Sequence, residues 1–347
     1  MKAAVLHGKA DLRYEEIKTP VPGPGEVVIA VKAVGICGSD IPRVLGDAAH
    51  FYPIVLGHEF SGVIHAIGKN VAGLRLGQRA TAAPLMPCGT CLDCKTGRFA
   101  LCRHYKFVGS SAFGAFADYV KVPAENVVVF SDTVSFEQAA FFEPATVARH
   151  GLMCARYAGS ETVAVLGGGT VGLFTMQWAK LLGGKRVVVF DINDARLALA
   201  KKMGADETIN TTSSGFMDQA RACAPDGYAY VFETAGQNTT MAMAFELASN
   251  RASVCFIGTS SKDLSFGWKL FEQMNRKEFT LTGSWMSYSA PFPGKEWTDT
   301  AAYFADGQLR FDRDLIFRTF PMNRAQEAFA LFYDRAAVGG KVLLVNE

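Results

Sequence analysis

Residues 162–191 hold the feature that most limits what this chain can fold into. A short apolar run, Thr162–Leu166, ends in Gly167-Gly168-Gly169-Thr170-Val171-Gly172. A stretch of helical spacing follows over Leu173–Leu182, and a second apolar run, Arg186–Phe190, ends at Asp191. Strand, glycine turn, helix and strand in that order predict a βαβ unit of a parallel sheet. The turn satisfies G-x-G-x-x-G, a weak pattern alone but a specific one in this context. Gly167 permits the tight turn, Gly169 admits a pyrophosphate close to the backbone, and Gly172 lets the helix pack on the strand. The helix start, at Thr170 and Val171, offers free N–H groups and a positive dipole end to phosphates. Asp191 is placed to accept ribose hydroxyls and would repel a 2′-phosphate, which favours NAD over NADP. Arg196 lies near enough in sequence to hold such a phosphate, so the alternative stays open. A plain turn without cofactor is the bland reading, and the joint presence of strand, helix and acidic residue argues against it.

The alternation continues, with Arg196–Met203 helical and Tyr228–Phe232 and Val254–Ile257 as further strands, so a doubly wound parallel domain is expected over 152–287. Residues 1–151 differ. Ala3–Leu6 and Val27–Val34 read as strands around the turn PVPGPGE, and residues 60–85 and 116–129 have the same short-strand character. Residues 288–347 are expected to rejoin this β-rich domain, because Val342–Val345 is a strand with no slot in the parallel set. With 347 residues, two domains are the natural size.

Four of the eight cysteines crowd together as Cys88, Cys91, Cys94 and Cys102, a C-x2-C-x2-C-x7-C run. Four thiolates so spaced can surround one tetrahedral zinc as a closed structural site, in a lobe over 86–104. An iron–sulfur cluster uses similar runs, but with a shorter last gap followed by Pro; here Arg103 follows Cys102. Disulfides are disfavoured because no export signal is recognisable at the N-terminus, which makes the cytoplasm the default compartment.

Three further clusters remain: Gly35-Ile36-Cys37-Gly38-Ser39-Asp40, Gly57-His58-Glu59-Phe60-Ser61-Gly62 and Phe142-Glu143-Pro144. Cys37, His58 and Glu143 offer one S, one N and one O donor, the number that leaves a catalytic zinc an open position. Spacing alone does not establish this, since a lone Cys or His is more often packing than ligand.

The stretch GHEFSGVIHAIG matches G-H-E-x-x-G-x5-G, and GICGSD, GHE, the four-cysteine lobe, FFEP and GGGTVG follow in order along nearly the whole chain. In this the chain resembles the zinc-dependent medium-chain dehydrogenases. The resemblance implies an α/β fold, a Rossmann doubly wound parallel sheet plus a GroES-like β-barrel catalytic domain, with the active site in the cleft between them. It implies an NAD-dependent enzyme with two zinc ions per subunit. Cys37, His58 and Glu143 would hold the catalytic ion, Glu59 would support it or ligate it in an alternate state, and Cys88, Cys91, Cys94 and Cys102 would hold the structural one. Ser39 would be the first proton-relay hydroxyl. Family members are commonly homodimers or homotetramers.

Glu143, where alcohol dehydrogenases proper have a second cysteine, resembles the polyol branch. The segments CGSDIPRV, HFYPIVLGHEFSG and GSWMSYSAPFPGKEW resemble a bacterial group acting on a polyol phosphate. Dehydrogenases of free polyols, of sugar acids and of threonine share the same site chemistry and remain alternatives. One departure stands out: Pro42 occupies the place of a relay histidine, so the proton must leave by another route. Arg43 and Lys106 could meet a substrate phosphate, a solvated surface charge being the blander reading of either. Phe107 is a candidate wall of the site.

The 35 Lys and Arg against 33 Asp and Glu give a charge of +2, which offers no argument for nucleic acid or membrane as partner. No apolar run is long enough for a membrane helix. A small-molecule substrate and a zinc-free or merely binding relative are the remaining classes, and the retained ligand set favours the enzyme.

Overall fold

The computed structural model describes residues 1–346, and the side chains of all of these except Arg335 and Ala336. The chain forms two compact units, Met1–Glu143 with Tyr288–Gly307 and the chain from Arg313 on, and Pro144–Ser287 with Gln308–Asp312.

In the first unit the β-branched runs make antiparallel sheets. β1 (Lys2–Gly8), β2 (Asp11–Glu16), β3 (Glu26–Gly35), β4 (Ile54–Val55), β5 (Glu59–Ile67), β6 (Arg79–Ala82), β7 (Leu85–Met86), β8 (Lys106–Phe107), β9 (Tyr119–Pro123) and β10 (Val127–Val129) come before the second unit. One sheet runs β2-β1-β4, and β7 pairs with β8. The largest continues from β10 through β6, β5 and β3, with β9 also on β3. Val27, Ile29, Val31 and Val34 of β3 enter one apolar core with Phe60, Phe116 and Phe329.

The second unit holds β11 (Thr162–Leu166), β12 (Arg186–Asp191), β13 (Glu207–Asn210), β14 (Tyr228–Glu233), β15 (Ala248–Phe256) and β16 (Thr280–Gly283). They form one sheet of order β13-β12-β11-β14-β15-β16, and each neighbouring pair is parallel. Val163–Leu166 and Val187–Val189 are fully buried, as strands covered on both faces must be. The order reverses beside β11, and it is at such a switch point that ligands bind in open parallel sheets.

The C-terminal strands β17 (Ile316–Pro321) and β18 (Lys341–Val345) return to the first unit, where β18 pairs antiparallel with β3. The division of the chain differs in detail from the expected boundaries at 151 and 288. Residues 144–151 and 308–312 fall in the second unit. Trp178 explains the first shift, since its indole N–H donates to the Ala145 carbonyl at 2.9 Å. Gln177 explains the second, binding both backbone groups of Arg310 at 3.3 and 2.7 Å. No helix of the described residues is long and apolar enough to cross a membrane.

The signature glycine Gly62 has a packing role. It lies where β5 crosses β3, and a Cβ there would run into the carbonyl oxygen of Ala30. Gly62→Ala is expected to cost about 1–3 kcal/mol, the usual range for overpacking a core that cannot relax. Urea unfolding of the variant beside wild type measures it, and an unchanged midpoint would show that the strands can separate to admit a methyl group.

Candidate catalytic site and nucleotide site

β3 ends at Gly35 and releases the chain into the turn carrying Cys37, Ser39 and Asp40, while β5 begins at Glu59, directly after His58. The pairing of Gly35 with Glu59 brings the two segments together. One donor atom each from Cys37, His58 and Glu59 lies within 4.8 Å of the others. Asp40 is wholly buried. Its carboxylate accepts from the Cys37 backbone N–H at 3.1 Å and so fixes the Cys37 turn, and it faces His58 Nδ1 at 3.7 Å, beyond hydrogen-bond length. The ring of Phe107 stands edge-on to His58 at 5.4 Å.

Glu59 is held from a place the sequence did not suggest. Lys341, the first residue of β18, donates to both carboxylate oxygens at 2.8 and 2.6 Å, and both side chains are buried. Burial works against the lysine's charge, but Glu59 and Cys37 outweigh it and hold its pKa above the ordinary value. A lysine opening an apolar run reads as the solvated end of a strand, which is why sequence patterning passes over it. Glu143, the last residue of the first unit, stands outside the tight three-donor group, yet it interacts electrostatically with His58, Glu59, Lys341 and Asp40. Burial pushes its carboxyl up to about 7, with His58 pulling the other way. Tyr288, also buried, accepts from the Leu85 N–H at 3.1 Å, and burial, with Glu143 adding to it, holds its phenol neutral.

These groups fit a divalent metal. Burial, then the charge of Glu59, raises the Cys37 thiol well above its usual value, and Asp40 is raised by burial against the pull of His58 and Arg43. Burial favours the protonated forms of Cys37, Asp40 and Glu143, and a bound cation that displaced those protons would face one thiolate and three carboxylates set against Lys341 and Arg43, a formal charge of −2. One divalent cation balances that charge, and a thiolate, an imidazole and a carboxylate are donors that zinc accepts.

Ser39 sits on the rim. Its hydroxyl donates to Cys37 Sγ at 3.3 Å and accepts from Arg43 Nη1 at 3.1 Å. Pro42 is exposed on the short helix Ile41–Val44 and carries no titratable group.

The four-cysteine lobe gathers all four sulfurs within 4.8 Å, and none is in a disulfide. Cys88 and Cys94 Sγ are 3.9 Å apart, close to the edge of about 3.8 Å that zinc–sulfur bonds of about 2.3 Å give a tetrahedron. The helix Leu92–Lys95 starts after Cys91 and brings Cys94 round to the same side. Backbone N–H groups of Cys88 and Cys91 donate to sulfur at 3.3 and 3.4 Å. Hydrogen bonds led by that of Thr90 bring the Cys88 thiol down to about 5, whereas burial takes Cys94 up to about 12.

In the second unit the glycine turn lies between β11 and the helix Thr170–Leu181, whose N-cap is Gly169. Gly167 has φ +108°, and a Cβ on Gly172 would strike the Gly167 carbonyl. Asp191, at the end of β12, accepts from the Gly168 N–H at 2.6 Å and the Asn193 N–H at 2.9 Å. Arg196 Nη1 stands 3.9 Å from the same carboxylate. A cavity of about 390 Å³ is bordered by Gly167, Gly169, Asp191, Arg196, Thr234 and Thr240, among others. Two of its lining residues, Ala235 and Thr240, are held by Glu233, which patterning missed: this buried carboxylate accepts from the Ala235 and Gly236 N–H groups, each at 2.9 Å, and from the Thr240 hydroxyl at 2.7 Å.

A parallel-sheet nucleotide unit, a donor cluster suited to one metal and a four-thiol lobe define a metal-dependent dehydrogenase class. Comparison with known proteins agrees. The family described as "Alcohol dehydrogenase GroES-like domain" matches residues 23–132, and the one described as "Zinc-binding dehydrogenase" matches residues 170–302. The galactitol 1-phosphate 5-dehydrogenase of Escherichia coli (strain K12) is 36% identical over 99% of this chain and 100% of its own. The sorbitol dehydrogenase of Bacillus subtilis (strain 168) is 34% identical over 76% of each chain. The crystal structure of galactitol-1-phosphate dehydrogenase from Escherichia coli superposes with a TM-score of 0.93 over 100% of both chains, at 36% identity. The chain belongs to the zinc-binding medium-chain alcohol and polyol dehydrogenases, a family of oxidoreductases built from a GroES-like and a Rossmann-type domain.

Lys341→Met leaves Glu59 as a buried, unpaired carboxylate, and removing one partner of such a pair typically costs about 3–5 kcal/mol. Denaturant unfolding should show that loss, with Glu59→Gln in the same chain restoring much of it. A single variant as stable as wild type would mean that the pair is not what settles these strands.

Proposed function

We propose that the chain oxidises a secondary alcohol of a polyol phosphate with NAD, galactitol 1-phosphate to tagatose 6-phosphate being the best candidate. The observation that carries the dehydrogenase chemistry is the donor cluster of Cys37, His58 and Glu59, with Glu143 beside it, in a pocket of acids that calls for one divalent cation. The substrate reading is supported by full-length similarity to an enzyme whose name specifies oxidation at carbon 5 of a 1-phosphate. Free polyols such as galactitol and sorbitol are the second reading, favoured by the sorbitol dehydrogenase relative. Sugar acids and threonine fit the same donor chemistry.

In this reading Cys37, His58 and Glu143 hold the catalytic zinc, Glu59 is the alternate ligand, and Cys88, Cys91, Cys94 and Cys102 hold a structural one. When bound, zinc supplies a Lewis acid for the substrate hydroxyl and NAD a hydride acceptor. Asp40 orients the Cys37 backbone and faces His58. The Ser39 hydroxyl, within hydrogen-bonding distance of the ligand sulfur, takes the proton that the alcohol gives up. With Pro42 next in the helix, the proton passes from Ser39 to solvent rather than along the chain. Gly167, Gly169, Gly172 and the N–H groups of Thr170 and Val171 cradle the pyrophosphate, and Asp191 binds the ribose hydroxyls with Arg196 beside it.

We also infer a homodimer or homotetramer. β16 closes one side of the six-stranded sheet with a single neighbour, and it carries exposed Leu281 close to exposed Trp285. An open strand edge beside exposed apolar side chains is what proteins ordinarily cover.

The test of the substrate is NAD reduction by the zinc-loaded enzyme with galactitol 1-phosphate and galactitol side by side. A kcat/KM at least tenfold higher for the phosphate is expected. Equal or better use of galactitol would remove the phosphate from the reading.

The cofactor preference is tested separately. Asp191 already meets Arg196, so a 2′-phosphate would meet a carboxylate before a free cation. NAD should exceed NADP in kcat/KM by about 100-fold, or about 2.8 kcal/mol at about 1.4 kcal/mol per factor of ten. Equal rates with both would assign Arg196, not Asp191, the decisive role.

A further inference from the structure

We propose that Arg43 is the specificity residue that reads an oxyanion on the substrate, and so selects phosphorylated over neutral polyols. The inference rests on the polyol-phosphate reading and adds the residue that enforces it.

Three observations carry it. The Arg43 side chain is only 18% exposed, yet one of its N–H groups alone has a protein hydrogen-bond partner among the described residues, the donation from Nη1 to Ser39 Oγ. A guanidinium has five N–H donors in a planar fork. None of the remaining Arg43 donors is among the buried atoms lacking partners, so they face solvent. A largely buried cation whose remaining donors reach solvent and have no protein acceptor is placed to exchange water for an oxyanion.

The second observation is charge. The nearest carboxylate, Asp40, is 3.6 Å from Arg43 Nη1, beyond hydrogen-bond length, and it is shared with His58 at 3.7 Å. Arg43 thus faces Asp40 by charge but not through a hydrogen bond, and apart from the N–H on Ser39 its donors stay open to an incoming anion. Guanidinium and phosphate match in geometry as well as in sign, two parallel N–H groups meeting two oxygens.

The third is place. Cys37 Sγ, Ser39 Oγ and Arg43 Nη1 form a chain of two hydrogen bonds, 3.3 and 3.1 Å long. The cation is thus set back from the reacting centre by the length of a short chain, not in contact with it. In a 1-phosphate oxidised at carbon 5, the anion and the carbinol are separated by four carbon–carbon bonds, a separation of the same order. The guanidinium would meet the far end of the substrate while Ser39 meets the near end.

The experiment compares wild type, R43A and R43K, zinc-loaded and at saturating NAD, on galactitol 1-phosphate and galactitol, with inorganic phosphate as a competitive inhibitor against galactitol. In R43A the ratio of kcat/KM for the phosphate to that for the free polyol should fall at least tenfold, with R43K in between. A residue that merely supports the fold would lower both substrates together and leave the ratio where it was; that result overturns the proposal. Inorganic phosphate gives the reading that does not depend on the natural substrate. It should compete with galactitol in wild type and at least tenfold more weakly in R43A, or in R43K should the alanine variant fail to fold. Equal inhibition of wild type and variants overturns the role of Arg43. Wild type preferring free galactitol, with phosphate inhibition still dependent on Arg43, overturns the polyol-phosphate substrate and leaves the oxyanion site standing.

Discussion

The first unit is organised around buried like charge. Cys37, Asp40, Glu59 and Glu143 bring four acids into one apolar β core, and each is met from a different part of the chain. Lys341 comes from the last strand, Arg43 from the turn after Cys37, and His58 from the start of β5. Ion pairs buried this deeply rarely add stability for their own sake, because desolvation offsets the attraction. Their value here is positional. The bidentate Lys341–Glu59 contact ties β18 to β5 across β3, and so couples the return of the C-terminal segment to the geometry of the donor cluster. A site whose acids repel one another in a low-dielectric surrounding holds a divalent cation more tightly than the same ligands would in water.

The second unit answers a different constraint, a tight glycine turn between a buried strand and the helix packed on it. The glycines that permit this remove side chains that would otherwise stiffen the turn, and carboxylates supply the stiffness instead. Asp191 holds the Gly168 N–H, and Glu233 holds Ala235, Gly236 and Thr240 on the facing loop. Both stand at the ends of strands, β12 and β14, on either side of β11. Asp191 is therefore a prop of the glycine turn, and its replacement alters that turn.

Much of this was legible in the residues. Strands β1, β3, β11, β12, β14 and β18 announce themselves by short apolar runs, rich in valine in β3, β11, β12 and β18, and the cysteine lobe by its spacing. What escaped did so for physical reasons. β13 (ETIN) and β16 (TLTG) are short and half polar, so neither periodicity nor hydropathy marks them. Lys341 is buried against a partner 282 positions away, Glu59; Asp40 and Glu233 are buried on neighbours, the Cys37 N–H for one and Ala235, Gly236 and Thr240 for the other, but a lone carboxylate in sequence reads as surface charge. The end of the first unit lies inside the helix Phe142–Cys154, because Trp178 claims Ala145; a boundary within a continuous helix leaves no trace in composition.

Pro42 joins the two themes of buried charge and fixed backbone. It stands at the first turn of the helix Ile41–Val44, where a missing N–H costs nothing and a fixed φ favours the helical start. The same restriction steadies Arg43, the next residue, whose guanidinium turns back four positions to Ser39, the spacing at which helical side chains meet. A histidine at position 42 would offer a second titratable step and a less constrained turn. Proline removes the step and stiffens the mount of the neighbouring cation. Proline at 42 thus leaves the turn after Cys37 without a titratable step of its own and gives the neighbouring cation a rigid mount.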